Sequence, residues 1–212
     1  RAAFLSADHL GILLAAVGFF ALGLIDDAGG GKAKGFREHL RALARGELTG
    51  GAIKLLGGGV FGLIAGGLWE SRPSVAILDG LLVALSANLW NLLDLRPGRA
   101  AKAFLLAWMP LAVMGRSPAY LPLSEAVAAG ALAWLPADLG ERGMLGDAGA
   151  NLLGAVLGAG VALTLPTPEK LGALGVLVAL TAASDRWSFS AAIARVGPLG
   201  WLDRLGQVSD KR

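Results

Sequence analysis

Seven apolar stretches, each separated from the next by proline, glycine or charge, constrain this chain more than any other feature. They cover residues 9–25, 51–69, 75–93, 101–115, 119–136, 149–166 and 169–184. A bilayer hydrocarbon core about 30 Å thick takes about 20 mostly apolar residues in helical form, with about 17 as the practical minimum. Each stretch comes near that length, and 101–115 is the shortest. The breaks carry Pro73, Pro97-Gly98, Pro118, Pro136 and Pro166-Thr167-Pro168, residues that interrupt helices because proline lacks an N–H and glycine lacks a stiffening Cβ. A cleaved signal segment accounts for one such run, not seven. The expected fold class is all-α, a polytopic transmembrane helical bundle.

Composition points the same way. Only 17% of the 212 residues are charged and 55% are hydrophobic, whereas a soluble domain carries about a quarter charged residues. The 32 glycines follow no G-X-Y period, which excludes collagen. Within apolar runs they suit helices that approach closely in lipid. Gly58, Gly62 and Gly66 in the second stretch and Gly154 and Gly158 in the sixth are spaced four apart, so they are expected to pack helices rather than do chemistry. The absence of cysteine excludes disulfides and thiolate metal sites. A formal charge of +3 without a basic block gives no reason to expect nucleic acid. The chain opens on Arg1 rather than methionine and is expected to be one transmembrane domain, 1–212, that is N-terminally incomplete.

Lysine and arginine set an orientation. If the 26–50 loop is cytoplasmic, alternation of seven spans places 94–102, 137–148 and 185–212 on the same side. Fifteen of the nineteen basic residues then fall there, counting Lys54 just inside the second span, and only Arg1, Arg72, Arg116 and Lys170 fall opposite. Such a positive-inside bias predicts that these loops face the cytoplasm.

Four motifs carry potential chemistry, and three of them are acidic. Asp26-Asp27 closes the first span; two adjacent carboxylates at a membrane boundary repel and lose hydration, so they require a cation or a cationic partner, and Mg²⁺ is a natural choice. The alternative is a polar helix end. Asn88-x-x-Asn91-x-x-Asp94 turns only about 60° per step of three, so its members share one helical face that runs into the cytoplasmic boundary. Amides at membrane depth favour a polar cleft, although interhelical hydrogen bonds and capping by Asp94 explain the same residues. Met144-Leu-Gly-Asp147-Ala-Gly-Ala-Asn151 opens the sixth span. Asp147 there reads either as an N-cap or as part of a phosphate site at a helix N-terminus. The fourth motif is the loop from Lys32 to Arg45. It pairs an Arg37/Arg41/Arg45 column with Phe36, Leu40 and Leu43, as an interfacial amphipathic helix does. Lys32, Lys34 and Lys54 are the better candidates for phosphate contacts. Carboxylates, amides and lysines on one side of a membrane suit Mg²⁺-dependent phosphate chemistry on a lipid.

The ordered set Asp26-Asp27, a Lys-Gly-rich loop, Asn88-x-x-Asn91-x-x-Asp94 and Leu145-Gly-Asp147-x-Gly resembles the polyprenyl-phosphate hexose-1-phosphate transferase superfamily. That superfamily includes the phospho-N-acetylmuramoyl-pentapeptide and polyprenyl-phosphate N-acetylglucosaminyl-1-phosphate transferases. The resemblance covers most of the chain. It implies a fold of about ten helices, of which this chain holds about seven, in the plasma (inner) membrane of a prokaryote. It also implies the reaction, in which a polyprenyl phosphate attacks the β-phosphorus of a UDP-sugar and UMP leaves. By the same resemblance Asp147 and Asp27 are metal ligands for Mg²⁺, and Asp26, Asp27 and Asp94 are catalytic. Lys34, Lys54, Asn88, Asn91 and Asn151 are assigned to substrate binding, and a homodimer is compatible. Familiar members carry a late histidine-rich motif; here the only histidines are His9 and His39, and the tail reads Ser184-Asp185-Arg186-Trp187-Ser188-Phe189-Ser190. A catalytically silent homologue acting as a lipid-binding or envelope-assembly scaffold is the alternative. A transporter is disfavoured because the acidic residues gather at one boundary rather than at the midplane. The Asp-Gly-x-x-Ala-Arg pattern of CDP-alcohol phosphotransferases is missing.

Overall fold

All seven apolar stretches fold as helices in the computed structural model, which describes residues 5–29, 45, 50–184 and 186–208. The long helices are α1 (Ala7–Gly29), α2 (Gly50–Trp69), α3 (Pro73–Leu93), α4 (Arg99–Met114), α5 (Tyr120–Leu139), α6 (Gly146–Thr164) and α7 (Thr167–Ser184). Two short ones follow, α8 (Phe189–Arg195) and α9 (Gly197–Arg204), and the described residues contain no strand. Among the described residues three helices are long and apolar enough to cross a membrane: α1 over Ala7–Ala28, α3 and α6. In α2 the apolar part is the shorter Ile53–Trp69. The other long helices are shorter or carry more charge. The 16 residues of α4 reach only about 24 Å at 1.5 Å per residue. Glu125 lies in α5, and Glu169 and Lys170 lie in the first turns of α7.

The centre of the bundle is α6. It packs against α1, α3, α4 and α5 and buries most of its length, including Asn151, Leu153, Val156 and Leu157. Small residues set its spacing. A Cβ added to Gly154 lies 2.6 Å from the Ala87 Cα, and one added to Gly158 lies 2.5 Å from the Val83 Cα. The backbones of α3 and α6 therefore touch where glycine removes the side chain. The same device joins α2 to α3, where Gly62 faces the Gly80 backbone and Gly66 faces Ala76. Gly58 instead receives the Phe19 ring of α1. The expectation of packing glycines holds for all five.

Outside this core the bundle is apolar on every flank. Val17 of α1, Val60 of α2, Leu81 of α3, Val113 of α4, Leu132 of α5 and Val176 of α7 all stand exposed. Water does not favour a continuous apolar circumference of this kind, and lipid does. The polar residues are sorted by end. At one end Trp69 Nε1 donates to the Asp8 carbonyl at 3.3 Å, and Glu70 pairs with Arg72 at 2.8 Å. The opposite end gathers the last turn of α1, the first turns of α2, α4 and α6, the last turns of α3 and α5, and α8–α9.

One interior ion pair is tied to the first end. Lys170 of α7 donates to Asp79 of α3 at 2.7 Å, with side-chain exposures of 9% and 2%. Lys170 is the buried residue of α7, so this pair fastens a helix that is otherwise largely exposed.

Candidate functional site

The two aspartates that end α1 perform different tasks. Asp26 Oδ2 pairs with Lys54 Nζ of α2 at 2.7 Å, and the same ammonium donates to Asp147 Oδ2 of α6 at 2.5 Å. Two carboxylates from different helices thus share one cation. Asp27 turns instead to the start of α6, where its Oδ1 accepts from the Asp147 N–H and its Oδ2 from the Ala148 N–H, each at 3.1 Å. The residue preceding α6, Leu145, has no capping side chain. Asp27 supplies the cap from 120 residues away, satisfying two orphan donors and the positive end of the helix dipole. Neither reading of Asp147 as the N-cap nor of the α6 N-terminus as a phosphate cradle accounts for this arrangement, because the protein's own carboxylate takes those N–H groups.

Two glycines make the junction possible. Gly146 adopts φ +67, and a Cβ there would lie 3.1 Å from Asp27 Oδ2. Gly23 packs directly on the Asp147 carbonyl and the Ala148 Cα. Gly23→Ala is therefore expected to wedge α1 from α6, costing about 1–3 kcal/mol as overpacking does. A lowered melting temperature in detergent measures it.

Asp94 follows the last turn of α3, half-buried at the same end. Burial pushes its pKa up to about 7, and the negative charges of Asp138, Asp147 and Asp27 push the same way, against a hydrogen bond from the Gly146 backbone. The three acidic motifs therefore meet electrostatically. Asn91, one turn earlier, has a buried Oδ1 without a hydrogen-bond partner. The antiparallel register that sets Gly158 on Val83 and Gly154 on Ala87 brings Ala150–Asn151 level with Asn91. Asn151 is buried, whereas Asn88 is only half-buried. Lys32 and Lys34, with the Arg37/Arg41 amphipathic segment, lie outside the described residues.

Three features of this end carry no local signal in the sequence. Asp138 of α5 is 1% exposed, and both its oxygens lack a hydrogen bond of normal geometry. Arg99 opens α4 and grips Asp203 of α9 through Nε–Oδ1 at 2.7 Å and Nη2–Oδ2 at 2.9 Å, while its Nη1 reaches Ser190. Lys102 donates to the carbonyls of Leu202, Asp203 and Leu205, neutralising the C-terminal end of α9. Gln207 donates to the Pro97 carbonyl, so the tail is fastened to the loop after Asp94.

No group of three His, Cys, Asp or Glu among the described residues is arranged to hold a metal. The donor set nevertheless fits Mg²⁺, because that ion takes one or two carboxylates and completes its shell with water and substrate phosphates. The fit rests on Asp26 and Asp147, which already hold one cation, the Lys54 ammonium, between them, rather than on the expected pair Asp147 and Asp27, because both Asp27 oxygens accept from the start of α6. No protein-family model, curated protein or solved structure matches the chain.

Proposed function

We propose that this chain is a membrane-embedded phosphotransferase that moves a sugar 1-phosphate from a UDP-sugar to a polyprenyl phosphate carrier, releasing UMP with Mg²⁺. Its seven long helices act as spans within a larger family-type bundle, in a prokaryotic plasma membrane with the acidic end facing the cytoplasm. The observation that carries the reading is the convergence of Asp26, Asp27, Asp94, Asp147 and Lys54 at one end of an apolar-flanked bundle. A lipid phosphate anchored by its chain and a water-soluble nucleotide meet only at such a boundary.

In this reading Asp147 and Asp26 are the residues that would hold Mg²⁺, which when bound neutralises diphosphate oxygens. Lys54 supplies a second positive charge beside them. Asp27 holds α6 against α1 and so keeps Asp147 facing Asp26. An oxygen of the lipid phosphate attacks the β-phosphorus, the bond to UMP breaks, and UMP leaves with the electron pair. Asp94 orients or deprotonates the lipid phosphate, and Asn91 and Asn151 offer polar atoms to the substrate. The chemistry is positioning and charge neutralisation, as for phosphoryl transfer in general.

The test is UMP release by purified full-length protein over a panel of UDP-sugars with undecaprenyl phosphate. Mg²⁺-dependent release with at least one sugar is expected. No release, and no exchange of UMP with any polyprenyl diphospho-sugar, rejects the reading in favour of a scaffold. The pH profile adds a check. Asp94 carries its proton below about pH 7, so the rate is expected to rise as pH climbs through 7, and Asp94→Asn is expected to flatten that rise.

A further inference from the structure

The tail helix α9 is built inside out for a helix in water. Its buried residues are Gly200 and Asp203. At about 100° per residue, Pro198, Trp201 and the following Leu205 lie on the opposite side, and all three are exposed. Trp201 is 62% exposed, and Trp187, at the entry to α8, is 73% exposed. A soluble helix puts its acid outside and its tryptophan inside; α9 does the reverse, with Asp203 held by Arg99.

Charge narrows the choice of what covers this face. Over residues 186–208 the single acidic residue is Asp203, and it is buried. Arg186, Arg195 and Arg204 are exposed. An exposed surface of tryptophan and leucine edged by Arg186, Arg195 and Arg204 complements an anionic lipid surface, since indole rings favour the headgroup level and arginine favours acidic headgroups. The position agrees with that partner. Arg99, Lys102 and Gln207 fasten the tail beside the start of α4 and the end of α3, where the apolar flanks give way to polar loops.

We propose that α8–α9 form an interfacial anchor that lays Trp187, Trp201 and Leu205 into an anionic bilayer surface beside the acidic end of the bundle. The inference rests on the membrane reading of the chain and is independent of the transfer reaction. It gives the acidic end of the bundle a fixed depth in the headgroup layer.

The cysteine-free sequence makes the test clean, because Leu205→Cys introduces a sole thiol for a polarity-sensitive fluorophore and leaves both tryptophans in place. The labelled protein is reconstituted in nanodiscs of phosphatidylglycerol or phosphatidylcholine containing lipids brominated near the headgroup end of the chain. Quenching is expected in both, about two-fold or more stronger in phosphatidylglycerol, with the difference reduced in Arg195→Gln/Arg204→Gln. Trp187→Ser/Trp201→Ser in the labelled background is expected to weaken quenching without releasing the tail. Leu81→Cys, on the exposed flank of α3, serves as the control. A quenched Leu81 label with an unquenched Leu205 label overturns the anchor alone. If neither label is quenched, the membrane reading fails and the anchor with it. A Leu205 label that is dry in native membranes yet unquenched in nanodiscs identifies a protein partner and also overturns the proposal.

Discussion

Asp147→Asn is expected to lower UMP release by on the order of 10³-fold, the scale at which a central electrostatic group acts in a transition state, while the protein still inserts and keeps its melting temperature within a few degrees. The asymmetry follows from geometry. The Asp147 side chain faces Lys54 and, across it, Asp26, so its charge serves the site. Its backbone N–H serves the helix cap, and asparagine retains that N–H. Asp27→Asn is the instructive contrast, because it weakens the cap on α6 and is expected to cost about 1–2 kcal/mol of stability. Steady-state UMP release beside thermal unfolding in detergent separates the two. If Asp147→Asn retained near-full release, Asp147 would have no place in the reaction.

The largest stability effect is expected at the other anchor. Arg99→Met removes one partner of an ion pair whose side chains are 5% and 4% exposed and leaves the Asp203 carboxylate buried beside the more distant Arg96. Breaking a buried pair this way costs about 3–5 kcal/mol, more than most single substitutions. The loss is local, so limited proteolysis is expected to cleave within 186–208 before the bundle melts. Arg99→Met/Asp203→Leu is expected to recover much of it, since two apolar groups leave no stranded charge. The same pair gives a pH dependence. Arg99 holds the Asp203 pKa below its ordinary 3.8. Its stabilisation is therefore complete above that value and lost as pH falls through the lower folded one. Tail protection is expected to persist through neutral pH and to fail only in strong acid.

What was legible in the sequence followed from local pattern. Each apolar run is a helix because helix content depends on residues a few positions apart, and Pro73 and Pro166 mark real breaks. The four-residue glycine spacing predicted helix packing, and Gly62 against Gly80 and Gly154 against Ala87 are where it occurs; the facing residues were not legible. Span alternation also placed the three acidic motifs at a common end. Partnership was not legible. Asp26 and Asp27 are neighbours with the same side chain, and nothing local tells which reaches Lys54 and which caps α6. Arg99–Asp203 and Asp79–Lys170 join residues 104 and 91 positions apart. In each case nothing local to either residue names its partner, and only the fold selects it. Length was legible too: 101–115 is the shortest apolar run, and α4 is the shortest of the seven long helices.

The cap that Asp27 places on α6 has a consequence for how the chain is made. Synthesis runs at about 5–20 residues per second, so α1 emerges about 6–24 s before the amides it will bind. Throughout that interval Asp27 stands in the nascent chain before the two N–H groups that it caps have been made. The site therefore does not exist in any shorter nascent chain. Its completion waits on the synthesis of α6.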